Sequence, residues 1–187
     1  KAPSSVKADK SCLLVYKLSV SQTHAYIGMG EYCMYSTYTP MVNINLSKQT
    51  DIEAFAVQVM DEGLKINKIT GKVPAGTPML IRRMGKPEAG TKTLAVPLAT
   101  GAMDIMPEND LVSATSIMRA ADLAKANGYI LEAEAGFFTK VEADDAMVVV
   151  RKGEAYLLVS NTKAPYAFNL SDATGIDATT WADGKKP

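Results

Sequence analysis

The chain has 187 residues, of which 47% are hydrophobic, and its 20 Lys and Arg residues balance 20 Asp and Glu residues. This length fits a single domain, since domains commonly have about 100–200 residues. The balanced charge argues against nucleic acid and anionic membrane surfaces as main partners, because both attract an excess of Lys and Arg. No stretch approaches the roughly 18 uncharged apolar residues of a membrane-spanning helix, so the chain is predicted not to span a membrane.

The first half of the chain is predicted to consist of short strands. Residues 1–10 are polar and predict a flexible N-terminus. Residues 14–20 alternate between apolar and mostly polar side chains, which is typical of a half-buried strand. Gly28 and Gly30 predict a turn. Further strands are predicted at residues 31–36, 41–45, 54–60, 65–70, 79–82 and 93–98.

The second half is predicted to be similar, with one place for a short helix. Residues 111–127 contain good helix formers, but their ragged spacing predicts at most one or two helical turns, ending near Asn127 and Gly128. Residues 171–187, rich in Asp, Ala, Thr, Gly and Lys, predict a flexible tail or linker. Strands are predicted at residues 129–134, 137–142, 147–150, 155–160 and, as an addition, 166–170.

Two stretches of the chain repeat the same order of strands and turns. In each, a strand meets a glycine, a second strand follows, and a four-residue turn ending in glycine precedes a third strand. Gly136 follows Gly63 by 73 positions, and Gly153 follows Gly76 by 77 positions. The repeats therefore cover about residues 54–83 and 128–160, within a single β domain over residues 11–170. Many short strands with Gly and Pro turns predict an all-β fold, an antiparallel β-sandwich or a barrel-like form built from two related meanders.

Several runs of the chain share the order of motifs of one known kind of module. They lie at residues 31–36, 52–55, 72–81, 136–141 and 152–157, and residues 170–177 follow them. In this order they resemble a β-rich module found near the C-termini of surface and secreted proteins of Bacteroidetes, where a segment like 170–177 leads to a sorting or anchoring segment. The segment at residues 141–150 is longer and more acidic than in that pattern.

The resemblance implies a secreted or cell-surface location and a non-catalytic, adhesin-like or accessory role, with a protein or glycan at the cell surface as partner. The module provides no catalytic residues to carry over. We therefore expect a binding module and no enzyme. A carbohydrate-binding accessory module is the alternative, and a glycan hydrolase is a third possibility.

Cysteine and histidine are too sparse for a cofactor site. Cys12 and Cys33 each lie in a predicted strand, so they form either a disulfide between neighbouring strands or two buried thiols. With His24 as the single imidazole, they do not supply the three or four closely spaced ligands of a zinc site. His24 follows a turn-like run and is expected at the surface. No glycine-rich phosphate loop is present either, so neither a cofactor nor a metal is predicted.

Acidic pairs are the candidate groups for catalysis or calcium binding. Glu132 and Glu134 share one face of a predicted strand, as a hydrolase would need for its two carboxylates. A solvated strand face is the favoured interpretation. Asp144 and Asp145 lie in the insertion of the second repeat, where they favour a loop tip that contacts a partner over a weak calcium site, which needs six or more oxygen ligands.

Tyrosines and loops are the candidate binding elements. Tyr35 and Tyr38 belong to a tyrosine-rich N-terminal third, and exposed tyrosines stack on sugar rings or anchor protein interfaces. Tyrosine is also favoured in strands for structural reasons alone, which is the alternative interpretation. A rigid sandwich presents its binding residues on loops. The loops expected to do so here are residues 85–91, 102–110 and 142–146.

Overall fold

The computed structural model describes residues 22–61, 63–85, 90, 92–145, 147–161 and 163–174, which form mostly antiparallel strands. The predicted strand at residues 14–20, the N-terminus and the tail after residue 174 lie outside the described residues. The strands of the first half are β1 (His24–Met29), β2 (Tyr35–Tyr38), β3 (Ile44–Asn45), β4 (Ile52–Met60), β5 (Gly63–Ile69), β6 (Lys72–Val73), β7 (Met79–Arg83) and β8 (Lys92–Pro97).

The described part of the second half adds seven strands and two short helical segments. They are β9 (Leu111–Ser113), β10 (Met118–Arg119), α1 (Ala120–Lys125), β11 (Gly128–Glu132), β12 (Phe137–Lys140), β13 (Val149–Val150), β14 (Ala155–Leu158), β15 (Ala167–Asn169) and a 3-10 helix (Leu170–Asp172). The prediction of an all-β fold with at most one or two helical turns is confirmed. The α1 segment ends where Asn127 takes a left-handed backbone conformation (φ 52°), which Asn tolerates at helix C-termini.

One predicted strand is displaced by a turn. Residues 31–34 were expected to be extended, but Tyr32 has a φ of 55° and the backbone N–H of Cys33 donates to the carbonyl of Gly30 at 3.3 Å. The strand β2 therefore starts at Tyr35. At Gly28 the reverse holds: a turn was predicted there, but Gly28 lies within the strand β1 and pairs with Thr93 of β8.

The two related meanders form two sheets with the same strand order. A four-stranded sheet has the order β2-β7-β4-β5. A five-stranded sheet has the equivalent order β9-β14-β11-β12, with β15 added next to β12. The registers match as well: Phe55 of β4 lies opposite Leu80 and Lys68, while Tyr129 of β11 lies opposite Leu157 and Lys140. The repeat seen in the sequence is thus a repeat of backbone pairing.

The repeats in the structure begin earlier than those in the sequence, with β2 and β3 in the first repeat and β9 and β10 in the second. Each repeat also carries a small two-stranded ribbon. In the first repeat β3 pairs with β6, with Ile44 opposite Val73. In the second repeat β10 pairs with β13, with Met118 opposite Val150. A further ribbon, β1 with β8, belongs to the first half. These ribbons cover the outer faces of the two sheets.

The sheets pack face to face, and apolar side chains fill three layers. The central core lies between the sheets and contains Phe55 and Leu80 from the first repeat and Tyr129, Phe138 and Leu157 from the second. The N-terminal outer core lies between the four-stranded sheet and the ribbons β1–β8 and β3–β6. The C-terminal outer core lies between the five-stranded sheet and the β10–β13 ribbon with α1. Both faces of each sheet are therefore covered, which explains why β7 is buried at all five positions.

The shared central core predicts that the two repeats unfold together. Leu80 and Leu157 occupy equivalent positions and are both 0% exposed. Replacing either by Ala should lower the free energy of unfolding by about 2–5 kcal/mol, the usual range for buried Leu-to-Ala changes. Circular dichroism and hydrogen exchange during urea unfolding should show one transition in both variants. Met60→Ala, at a side chain that is 50% exposed, is the control with little effect. Separate transitions for the two halves would contradict a shared core.

Candidate functional site

The two predicted site tyrosines lie on opposite faces of β2. The Tyr35 ring packs against the central core, and its Cε2 lies 3.0 Å from where a side-chain carbon of Gly136 would stand. Tyr38 packs against the N-terminal outer core, and burial raises its pKa. Both are half-buried, and the structure does not bring them together, so they form no common platform for one sugar ring.

The predicted acidic loop is held by its own side chain. The Asp145 carboxylate accepts a hydrogen bond from the backbone N–H of Glu142 at 2.9 Å, and Asp144 is exposed beside it. Among the described residues, no group of three or more His, Cys, Asp and Glu side chains could hold a metal ion. Asp145 thus closes a turn, while Asp144 is left for contacts with solvent or a partner.

The acidic pair of the hydrolase alternative is separated by a chain reversal. The strand β11 ends at Glu132, whose carboxylate accepts a hydrogen bond from the Thr139 hydroxyl at 2.6 Å. Glu134 follows in the turn before β12, so the two carboxylates do not continue along one strand face as expected. Cys33 lies close to Glu134, and burial together with that negative charge raises the pKa of its thiol.

His24 and Cys33 are the other candidate residues within the described part of the chain. His24 begins β1, is half-exposed, and its Nδ1 lies 2.9 Å from the Thr23 hydroxyl. Cys33 is a free, half-buried thiol, and its predicted partner Cys12 lies outside the described residues. Within the described part of the chain, no helix is long and apolar enough to cross a membrane.

A groove of about 350 Å³ opens at the start of β4. Buried apolar side chains line it, among them Ile52, Ala54 and Ile69, together with the hydroxyl-bearing residues Ser47, Thr50 and Thr70. The Glu53 carboxylate accepts hydrogen bonds from Lys68 Nζ at 2.6 Å and from Arg82 Nη2. Burial raises the pKa of Glu53, but the hydrogen bonds and charges of Lys68 and Arg82 lower the pKa by more than burial raises it. The pKa of Glu53 therefore lies below its ordinary value. Glu53 is therefore held as an anion and ties β4 to its neighbours.

This ion-paired cluster predicts a pH-dependent loss of stability. Glu53→Gln should lower the free energy of unfolding at pH 7 by about 2 kcal/mol, the size of a hydrogen bond to a charged group. Arg82 should account for most of the loss, because its side chain is 6% exposed, whereas that of Lys68 is 53% exposed and screened by water.

The sign follows from the lowered pKa of Glu53. The stabilisation is present above the ordinary value of 4.5 and is lost as the pH falls through the folded-state pKa. The difference between wild type and Glu53→Gln, measured by urea unfolding, should therefore shrink below pH 4.5. Glu31→Gln, at an exposed residue, should match wild type throughout. A difference that stays constant down to pH 2 would contradict this account.

The two repeats meet at one end of the sandwich, at a place we call the junction surface: residues 39–43, 74–76, 113–119 and 149–154. The backbone N–H of Gly76 donates to the carbonyl of Pro40 at 2.7 Å, and the equivalent Gly153 donates to Ala114 at 3.2 Å. Both glycines have a positive φ, 83° and 91°, which favours glycine at these turns.

Hydrogen bonds also cross between the repeats at this surface. The backbone N–H of Thr39 donates to the carbonyl of Gly153 at 2.7 Å, and the Ser113 hydroxyl donates to the carbonyl of Gly76 at 3.1 Å. The hydroxyls of Thr39 and Ser113 are themselves 3.2 Å apart. The four segments are therefore fixed relative to one another by bonds that join the two repeats.

Large apolar side chains project from the junction surface into solvent. Met41 is 70% exposed and Ile117 is 63% exposed, and Val42 and Val149 are partly exposed beside them. The buried residues Pro40 and Ala114, which precede Met41 and Ile117 in the chain, accept hydrogen bonds from Gly76 and Gly153. Large contiguous patches of exposed apolar groups are typical of interaction sites.

The predicted binding loop at residues 102–110 is also held firmly. Asp104 exchanges two hydrogen bonds of 2.9 Å with the backbone of Lys72, and Asn109 accepts from Val57 at 3.0 Å and donates to Pro78 at 2.7 Å. Between these anchors Ile105 is 99% exposed. Most of the remaining predicted binding loop, residues 85–91, lies outside the described residues.

The sequence pattern pointed to the turns of the junction surface but not to the surface itself. The repeated Val-x-x-Gly motif marked the turns at Gly76 and Gly153, whereas Met41 and Ile117 have no pattern that separates them from core residues. Comparison of the chain with protein-family models, with curated proteins and with solved structures finds no match.

Proposed function

We propose that this chain is a non-catalytic binding module, secreted or displayed at the cell surface, that contacts its partner through the junction surface. The observation that carries the proposal is the pair of exposed apolar side chains, Met41 and Ile117. They lie on segments whose residues Pro40 and Ala114 accept hydrogen bonds from the turn glycines Gly76 and Gly153. The proposed location rests on the resemblance of the sequence to surface and secreted β-rich modules.

The rigidity of this surface supports a binding role. A surface that is ordered before binding loses little conformational entropy when a partner docks. Here the turns at Gly76 and Gly153 are each closed by a backbone hydrogen bond within their own repeat and by a second bond to the other repeat. The backbone beside the exposed apolar side chains is thus held in one arrangement.

The other predicted sites offer less support for the alternative functions. The carbohydrate-binding alternative used Tyr35 and Tyr38 together, and these face opposite sides of the sheet. The hydrolase alternative used Glu132 and Glu134, which a chain reversal separates. In the groove, the Glu53 carboxylate is already occupied by Lys68 and Arg82. We therefore rank a partner at the junction surface first.

The junction surface is tested by a double variant with a matched control. Beads coated with the 187-residue chain are incubated with intact producing cells and with polysaccharides from the same cells. Met41→Ser with Ile117→Ser should lower binding about 10-fold or more, because each anchor of an interface costs about 1 kcal/mol or more when truncated. Its unfolding midpoint should stay near that of wild type, since both side chains are exposed.

Tyr166→Ser is the matched control. Tyr166 is 58% exposed, and its carbonyl accepts from Lys140 at the end of β12 away from the junction surface. Binding should be unchanged in this variant. Equal loss in both variants, or no loss in the double variant, would contradict a role for the junction surface. Antibody labelling of intact cells checks the location separately, and labelling that requires cell lysis would contradict surface display.

A further inference from the structure

We infer that the junction surface binds an acidic polypeptide segment that also carries apolar side chains. The inference rests on the proposed function and adds the chemistry of the partner. It comes from the distribution of charge, apolar groups and aromatic rings over the four segments of this surface.

The charge of the junction surface is positive, although the whole chain has a formal net charge of zero. Its charged residues are the cations Arg119, Arg151 and Lys152 and the single carboxylate Glu154. The three cations are exposed. Glu154 accepts from the backbone N–H of Arg151 at 2.7 Å, and its other oxygen is 3.9 Å from Arg151 Nη1, so this contact neutralises Arg151 only weakly. A partner with carboxylates would therefore be attracted.

The cations occupy one side of the junction surface, whereas exposed apolar groups lie on both sides. All three cations come from the second repeat, whereas the first-repeat segments, residues 39–43 and 74–76, contain no charged residue. Met41 and Val42 lie on that uncharged side, and Ile117 lies on the basic side next to the β10–β13 ribbon. A complementary partner has apolar side chains along its whole contact and carboxylates at one end.

The absence of aromatic rings separates a polypeptide from other acidic partners. Residues 39–43, 74–76, 113–119 and 149–154 contain no Phe, Tyr or Trp. Proteins that hold single-stranded nucleic acid or sugar rings usually stack them on such side chains. Thioether and branched aliphatic groups, as in Met41, Val42 and Ile117, instead suit the apolar side chains of a polypeptide.

Three fluorescent synthetic peptides of 12 residues test this inference on the whole chain. One contains Glu and Leu, one contains Lys and Leu at the same positions, and one contains Glu and Ser. Fluorescence anisotropy should show the Glu–Leu peptide binding at least 10-fold more tightly than either of the others. Raising the NaCl concentration from about 50 to 300 mM should weaken its binding several-fold, because exposed charges are screened.

Variants and chemical shifts locate the site. Arg151→Gln with Lys152→Gln should weaken binding of the Glu–Leu peptide at least 5-fold. Lys48→Gln with Lys92→Gln removes two exposed lysines outside the junction surface and should leave binding unchanged. Backbone amide shifts on adding the Glu–Leu peptide should be largest in the junction surface.

Several outcomes would overturn the inference. They are equal binding of the Glu–Leu and Lys–Leu peptides, no binding of the Glu–Leu peptide at 1 mM, shifts confined to other residues, and binding to phosphatidylserine vesicles without binding to the peptide. If the Glu–Leu peptide fails while Met41→Ser with Ile117→Ser still abolishes binding to cells, the acidic partner is wrong and the proposed function stands. If the double variant also binds cells normally, the proposed function itself is wrong.

Discussion

The fold depends on the burial of the central core between two sheets that neither repeat could cover alone. Phe55 and Leu80 of the first repeat pack against Tyr129, Phe138 and Leu157 of the second. The rings of Tyr129 and Phe168 lie 5.3 Å apart within this layer, and the Tyr129 hydroxyl donates to the carbonyl of Pro165 at 2.8 Å, so its one polar atom is satisfied. Because each sheet also has a covered outer face, every strand near the centre is fixed on both sides. This double coverage leaves the turns at the sheet ends as the places where side chains can face solvent on a rigid backbone.

The duplication has a consequence for function that a single meander would not have. Equivalent turns, at Gly76 and Gly153, arrive at the same end of the sandwich because the two sheets stack with their repeats facing each other. They are joined there by Thr39 and Ser113, which occupy equivalent positions in the two repeats. The two sides of the resulting surface then differ in sequence, because both carry exposed apolar residues but only the second-repeat side carries cations. A repeated backbone thus supports an asymmetric surface, which suits a partner with a direction.

The opposite end of the sandwich serves a different purpose. There Glu53 joins Lys68 and Arg82, and Arg82 also lies 5.9 Å from the centre of the Phe55 ring. A carboxylate with two cationic partners and a lowered pKa is well suited to holding strands together. The two ends differ in which side chains are free to contact other molecules. Glu53 is engaged within the chain, whereas Met41, Ile117 and Lys152 are exposed.

The sequence by itself determined the strand-rich class, the order of most strands and the presence of two related meanders, because alternation and turn residues act over only a few positions. It placed the turns at Gly76 and Gly153 and limited the helix to a short segment near Asn127. It misjudged Gly28 and residues 31–34, since a glycine is compatible with a strand when its neighbours pair, as Gly28 does with Thr93. The tertiary structure alone decided which faces are covered. Tyr35 and Tyr38, three positions apart, pack against different cores, and Met41 is exposed to solvent. The physical reason is that β propensity itself depends on what packs against a strand, and the exposure of each side chain depends on segments that are distant in the chain.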